Sequence, residues 1–283
     1  MTGGKKFAAA ALLAALWLRG KQLETTRYTL ERENLPPSFD GYRIAFLSDL
    51  HGASYGPDHR KLYDLVERAD PDLVLLGGDL VNKSALEFSG VLPFLRRLSA
   101  RFFCASVPGN HEQRLIPGKW EFLSRQMREM GIQLLENRRI FLEKGEERIS
   151  LWGLVIPLEY YGPESSYLTP GAVGKLLGGE PGDGFQILLA HNPLYFPAYA
   201  KWGADLTLCG HVHGGVVRLP ALGPLLSPER KFFPRYSQGM YEKDGKIMIV
   251  GRGLGDSLSG LRVNNPPEVP VIILKKKEPS AKE

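Results

Sequence analysis

Ile44-Ala45-Phe46-Leu47-Ser48-Asp49-Leu50-His51 and Leu73-Val74-Leu75-Leu76-Gly77-Gly78-Asp79 share one plan: a short apolar run, then a turn that ends on a carboxylate or an imidazole. Three more stretches repeat it. Phe103 to Val107 leads into Pro108-Gly109-Asn110-His111-Glu112, Ile187 to Ala190 ends at His191, and Leu206 to Cys209 ends at Gly210-His211-Val212-His213. Of the six histidines, only His59 stands apart from such an end.

Apolar runs of about five residues bounded by Gly, Pro and Asx read as buried strands. Helix-like stretches separate most of them, so the strands have covered faces. In open α/β sheets, ligands lie beyond the carboxyl ends of the strands, and all five polar clusters fall at such ends. The two-residue spacing in Asp49-x-His51 and His211-x-His213 sends both side chains of each pair to one side of an extended backbone. Each pair can then chelate one ion or reach two adjacent ones. Taken singly, Asp49 reads as a turn or cap residue, Gly109-Asn110 as a turn with positive φ and His191 as a satisfied polar residue. Their joint occurrence favours a metal site. The donor set has no thiolate, and imidazole with carboxylate and amide oxygen suits Mn, Fe, Zn or Co.

The ordered set D-x-H at 49–51, G-D at 78–79, G-N-H-E at 109–112, lone His191 and G-H-x-H at 210–213 resembles the calcineurin-like metallophosphoesterase superfamily, over roughly residues 43 to 275. Gly210-His211-Val212-His213-Gly214-Gly215, Arg218-Leu219-Pro220 and Arg252-Gly253-Leu254-Gly255 look like its membrane-associated bacterial branch, which includes UDP-2,3-diacylglucosamine pyrophosphatases. Val212 and Val216 depart from the Thr and Gln usual there, and neither position is a ligand. The resemblance implies an α/β fold in four layers, an α/β/β/α sandwich of two mixed sheets flanked by helices. It also implies two divalent transition-metal ions: Asp49, His51 and His213 on one, Asn110, His191 and His211 on the other, and Asp79 bridging. In that scheme a shared, acidified water attacks phosphorus in line. His111 is left to protonate the leaving oxygen or stabilise the transition state, with Glu112 or a nearby Asp tuning it.

At 283 residues and 43% hydrophobic content, the chain can bury one large core. Its two cysteines, Cys104 and Cys209, fall inside expected strands, where a small apolar thiol is the common occupant. No disulfide is expected. Lys5-Lys6, the apolar stretch Phe7 to Leu18, and Arg19 with Lys21 read as an anchor or signal-like segment over 1–21. The stretch is shorter than a full span, and a helix docked on the domain is the other reading. Residues 22–42 read as an arm, 43–276 as the metallophosphoesterase domain and 277–283 as a charged tail. The net charge of +5, partly from the terminal lysines, suits an anionic lipid surface more than a nucleic-acid groove. No obligate protein partner is evident.

Between the metal motifs the periodicity predicts helices over 57–69, 84–99, 117–130 and 193–201. In the third, Trp120, Phe122, Leu123, Met127 and Met130 form an apolar stripe of core type. Strands are expected at 133–142 and 148–155 around a turn at Lys144-Gly145-Glu146, and near 240–250 and 269–275. Specificity is expected from 214–241. There Leu219 to Leu226 is apolar, and Arg230, Lys231, Phe232, Phe233, Arg235 and Tyr236 mix cations with aromatics. That surface suits an acyl chain beneath a phosphate, or a bilayer; a proline-rich connection packed on the sheet fits as well. Arg252 reads either as a phosphate contact or as an ordinary turn arginine, and His59 as a solvated loop residue or a substrate contact.

These readings converge on a hydrolase of phosphate esters or pyrophosphates, associated with a membrane through its N-terminus and acting on a lipid-linked substrate such as UDP-2,3-diacylglucosamine. The alternatives are a phosphodiesterase or phosphatase on soluble nucleotides or phosphoproteins, and a binding scaffold. A scaffold is expected to lose metal ligands, and here all seven are present.

Overall fold

Alternation within each apolar run decides the layering. Ile44 and Phe46 pack into one buried cluster while Ala45 and Leu47 pack into another, and Leu73 and Leu75 part from Val74 and Leu76 in the same way. A strand that is apolar on both faces must lie between two layers. The computed structural model describes residues 17–18, 20–162, 167–215, 217–219, 223–226, 234–255 and 262–278.

One six-stranded sheet is built from β1 (Glu24–Arg32), β2 (Arg43–Leu47), β3 (Leu73–Leu76), β4 (Cys104–Ser106), β5 (Gln133–Leu134) and β14 (Glu268–Lys276), in the order β1-β14-β2-β3-β4-β5. Only β14 and β2 pair antiparallel in it. The second sheet holds β6 (Arg138–Lys144), β7 (Glu147–Leu154), β8 (Gln186–Ala190), β9 (Leu206–Cys209), β12 (Gly239–Lys243) and β13 (Lys246–Val250), in the order β12-β13-β9-β8-β7-β6. Its two edge pairs are antiparallel and its centre parallel. A separate ribbon joins β10 (Val217–Leu219) and β11 (Gly223–Leu226).

The inner faces meet through Ile44, Phe46, Leu75, Ile187, Leu189, Leu208, Ile249 and Ile272. The outer face of the first sheet carries α1 (Arg60–Ala69), α2 (Leu92–Arg101) and α3 (Lys119–Glu129), which insert Leu62, Leu95 and Met127. The outer face of the second carries α4 (Pro170–Leu177) and α5 (Phe196–Trp202), which insert Val173 and Tyr199. Each large side chain so buried contributes about 1.5–3 kcal/mol. The result is the expected four-layer α/β/β/α sandwich.

Local differences have physical reasons. Residues 24–32 of the expected arm form a strand parallel to β14. Thr25, Thr26, Tyr28 and Thr29 favour extended backbone, and the charges between them suit a solvent-facing sheet edge. The helix expected at 84–99 begins only at Leu92, with Pro93 in its first turn, so residues 82–91 form a loop. His59 is buried, with its Nε2 3.0 Å from the Gly90 carbonyl and its ring against Phe94. Of the α3 stripe, Leu123 and Met127 are buried, but Phe122 is 41% exposed. Both cysteines are buried free thiols. Among the described residues no helix is long and apolar enough to cross a membrane. Residues 1–16, most of 220–233 and the end of the tail lie outside the described residues, and so do Arg230 and Lys231.

Candidate metal centre

β2, β3, β4, β8 and β9 release the chain at one edge of the sandwich, where the two sheets deliver their polar turns to a common point. The turns are tight. Asp49, His51, Asp79, His211 and His213 all adopt left-handed backbone, with φ between 47° and 71°. Non-glycine residues reach that region at a cost, and their clustering is a mark of functional sites. Here the cross-links hold it. The Asp49 carboxylate accepts from the His211 backbone N–H at 2.8 Å, and the Asp79 carboxylate accepts from the His111 N–H at 2.7 Å. Two glycines permit the approach: a Cβ on Gly109 would collide with the Asp79 carboxylate, and one on Gly210 with that of Asp49.

Three sets of donor atoms result, each lying within 4.8 Å of one another: Asp49, His51 and His213; Asp79, His191 and His211; and His51, Asp79 and His111. The His51 and His213 Nε2 atoms are 3.1 Å apart. Two nitrogens each about 2.1 Å from one cation are separated by about 3.0 Å at a right angle and about 3.4 Å at the tetrahedral angle, so both rings can reach one ion. His191 Nε2 lies 3.2 Å from Asp79 and 3.8 Å from Asp49. The Nδ1 atoms of His191 and His213 are turned to the carbonyls of Gly77 and Gly255, at 2.7 and 3.1 Å. A proton on each Nδ1, donated to those carbonyls, would leave each Nε2 available to a metal ion.

Asp49 Oδ2, Asn110 Oδ1 and His191 Nε2 are buried with no hydrogen-bond partner among the described residues. Leaving such atoms unmatched costs about 1–3 kcal/mol each, and buried polar atoms are otherwise nearly always paired. Divalent cations would satisfy all three, so the donor set fits them. Protonation follows the same geometry. Burial, aided by His213, pushes His51 down to about 3, and burial holds His213 well below the usual imidazole range. Burial opposes charge on His191 too, yet the Asp79 carboxylate outweighs it and raises that group. The proton so held is the one a cation displaces, because a ligating imidazole is neutral.

Glu112 serves a different purpose from the tuning expected of it. Its carboxylate is buried and accepts the backbone N–H groups of Asp79 at 2.7 Å, Leu80 at 2.7 Å, Val81 at 3.2 Å and Gly109 at 2.8 Å. It clamps the β3 and β4 turns together. The His111 ring is instead set by the Lys83 N–H, which donates to His111 Nδ1 at 3.2 Å. Burial, with the nearby Asp79 charge, pushes Glu112 up to about 7 against the pull of those N–H groups. Glu112→Ala strips four buried donors of their acceptor and is expected to cost about 3–5 kcal/mol. Urea denaturation checks this, and a loss below about 1 kcal/mol would sink the clamp.

Arg252 is not brought to the candidate ligands. Its guanidinium is buried and pairs with Glu268 at 2.9 Å and with Glu24 on β1. Tyr161 was missed by sequence reasoning. Its ring packs edge-on against His211 at 5.1 Å, and its hydroxyl is buried without a partner among the described residues. Only the Tyr160-Tyr161-Gly162 run after β7 could have signalled it. Cys209 packs in the core beneath α5.

The model of the calcineurin-like phosphoesterase family matches residues 42–215, and the chain belongs to that family. It is a metal-dependent hydrolase of phosphate esters. Phosphodiesterase YaeI of Escherichia coli is 30% identical over 88% of this chain and 86% of its own length. Uncharacterized metallophosphoesterase YkuE of Bacillus subtilis is 29% identical, covering 92% and 88%. UDP-2,3-diacylglucosamine pyrophosphatase LpxG of Chlamydia trachomatis is 26% identical, covering 92% and 93%.

Proposed function

We propose that the chain hydrolyses a phosphodiester or pyrophosphate at a centre of two divalent ions, Mn, Fe or Zn, and that its substrate is lipid-linked, UDP-2,3-diacylglucosamine being the first candidate. The observation that carries the hydrolytic part is the set of buried, unmatched donor atoms on Asp49, Asn110 and His191 at the ends of three separate strands. Asp49, His51 and His213 would hold one ion, Asn110, His191 and His211 the other, and Asp79 both. Bound there, the ions would neutralise the phosphoryl oxygens and acidify the attacking water. The protein's own part is to keep the His51 and His213 imidazoles neutral, to hold the turns through Glu112 and to place His111 beside Asp79. Because His111 Nδ1 accepts the Lys83 N–H, a neutral ring carries its proton on Nε2, 3.9 Å from Asp79 Oδ2.

The lipid-linked part is supported by the name of the chlamydial relative and by the apolar stretch from Phe7 to Leu18. Just beyond it, Lys21 Nζ lies 3.7 Å over the Trp17 ring, a pairing of the kind that anchors chains at a membrane interface. The name of the E. coli relative favours a second reading, a phosphodiester without a lipid.

Purified protein loaded with Mn(II) is expected to cleave bis-p-nitrophenyl phosphate and, in detergent, UDP-2,3-diacylglucosamine, with both activities abolished by chelation. Cleavage of the generic ester alone would remove the lipid substrate and keep the metal mechanism. No cleavage of either with metals bound would remove both.

A further inference from the structure

Residues 262–265 precede β14 and carry no candidate ligand, yet they hold two of the turns that do. Asn265 is fully buried, and its Nδ2 donates to the carbonyls of His213 and Gly215, at 2.6 Å each. His213, Gly214 and Gly215 are three consecutive left-handed residues, with φ of 54°, 68° and 87°, a backbone that persists only where its surroundings hold it. A Cβ on Gly214 would meet Asn265 Oδ1 at 2.5 Å, so the amide lies directly against this turn. Arg262 is buried as well. Its Nη2 faces the carbonyls of Arg252, Gly253 and Gly255, at 2.9, 3.3 and 2.5 Å, and its Nη1 that of Asn265 at 3.3 Å. The 252–255 loop so gripped follows β13 of the second sheet and reaches across to the first: the Leu254 N–H donates to the Ser48 carbonyl and the Gly255 N–H to that of Asp49. The Gly255 carbonyl that Arg262 faces is also the one 3.1 Å from His213 Nδ1. One short segment thus sets the backbone beneath both Asp49 and His213. The turns of Asn110 and His191 are set elsewhere, by Glu112 at the Gly109 N–H and by the Gly77 carbonyl at His191 Nδ1.

We infer that Arg262 and Asn265 are positioning residues for the ion proposed at Asp49, His51 and His213, and not for the one at Asn110, His191 and His211. Each acts through the backbone. Asn265 fixes the course of the His213 turn, and Arg262 fixes the carbonyl to which the His213 ring is turned. Partners of this kind, one step outside the ligands, orient them, and their loss typically costs about 10–100-fold in metal affinity. The inference rests on the two-ion reading above and on no particular substrate.

The test measures Mn(II) binding to the full chain by calorimetry, with electron paramagnetic resonance to tell a coupled pair from a single ion. Wild type is expected to bind two ions. In Asn265→Ser and in Arg262→Gln one ion should weaken by about 10–100-fold and the other by less than about threefold. At intermediate Mn(II) the spectrum of a coupled pair should then give way to that of an isolated ion. Arg262→Lys, which keeps a cationic donor, should recover part of the loss. Ligand variants identify the ion. Adding Asn265→Ser to Asn110→Ala should weaken the ion that remains by about the same 10–100-fold, whereas adding it to His51→Ala should leave the remaining ion unchanged. Wild-type affinity for both ions would overturn the assignment. Equal weakening of both would overturn it too, since a general loss of packing does the same. If Arg262→Gln folds poorly, Asn265→Ser reads the same ion by itself. A wild type that binds no Mn(II) would remove the two-ion reading and this assignment with it, whereas two ions bound equally well by wild type and variants would remove the assignment alone.

Discussion

Asp79→Asn is expected to lower kcat/KM on bis-p-nitrophenyl phosphate by at least about a thousandfold, equivalent to about 4 kcal/mol, and to reduce the bound Mn(II) along with it. The substitution separates the two tasks of this side chain. Asp79 Oδ1 accepts the His111 backbone N–H at 2.7 Å, and an asparagine oxygen can keep that bond. Oδ2 faces His191 at 3.2 Å, His51 at 3.7 Å and His111 at 3.9 Å. There an amide replaces an anionic oxygen with N–H donors that no cation accepts. Burial disfavours the Asp79 charge, but the protonated His191 beside it overcomes that and keeps the carboxyl below its usual range. The carboxylate proposed to bridge the ions is therefore anionic whenever these side chains are assembled. The fold should survive, because the backbone bonds of the turn go to Glu112. Metal analysis and kinetics on the same preparation check the prediction. Full activity with two ions bound would remove Asp79 from the bridging position.

The cluster of candidate ligands was legible because chemistry and fold use the same local signal. A strand buried on both faces needs an apolar run, its end needs a turn, and the residues in that turn are free to be polar. Ile44 to Asp49 and Leu73 to Asp79 display all three over a few residues. The sandwich itself came from family resemblance, since alternation tells that a strand has two covered faces but not what covers each. Strand β1 was read as an arm because its partner β14 lies about 240 residues away along the chain, and no local pattern encodes a parallel pairing at that distance. Residues 84–91 carry apolar side chains at helical spacing, yet Gly90 and Pro93 set the start of α2 later. The apolar residues there serve the packing of a loop, in which His59 reaches the Gly90 carbonyl.

Glu112 illustrates a different limit. Adjacent to His111 in sequence, it invites the reading of a partner to that imidazole. A short 3-10 turn from Glu112 to Arg114 instead turns its carboxylate inward to the N–H groups of the β3 turn. Sequence adjacency gives no direction to a side chain in a turn. Arg252 had two readings of equal standing, and its direction is set by Glu268 and Glu24, acids at opposite ends of the chain.

For His111→Ala, kcat is expected to fall by about 10²–10⁴ while both ions stay bound. The geometry alone leaves His111 close to a ligand, since it shares one of the three donor clusters with His51 and Asp79. What separates it is its tautomer. Its Nδ1 is taken by the Lys83 N–H, so the neutral ring presents a donor, not a lone pair, toward Asp79 and the reacting phosphate. Burial holds its pKa below the ordinary imidazole value despite the Asp79 charge, which keeps that neutral donor in place at neutral pH. A donor at this point can hand its proton to the leaving oxygen or merely hold charge on the phosphoryl group. Leaving-group dependence distinguishes the two. p-Nitrophenolate departs without a proton, whereas an alkoxide needs one, so a proton donor makes the His111→Ala penalty much larger on an alkyl phosphodiester than on bis-p-nitrophenyl phosphate. Equal penalties on both would assign His111 to charge stabilisation. Loss of metal in step with activity would place it among the ligands.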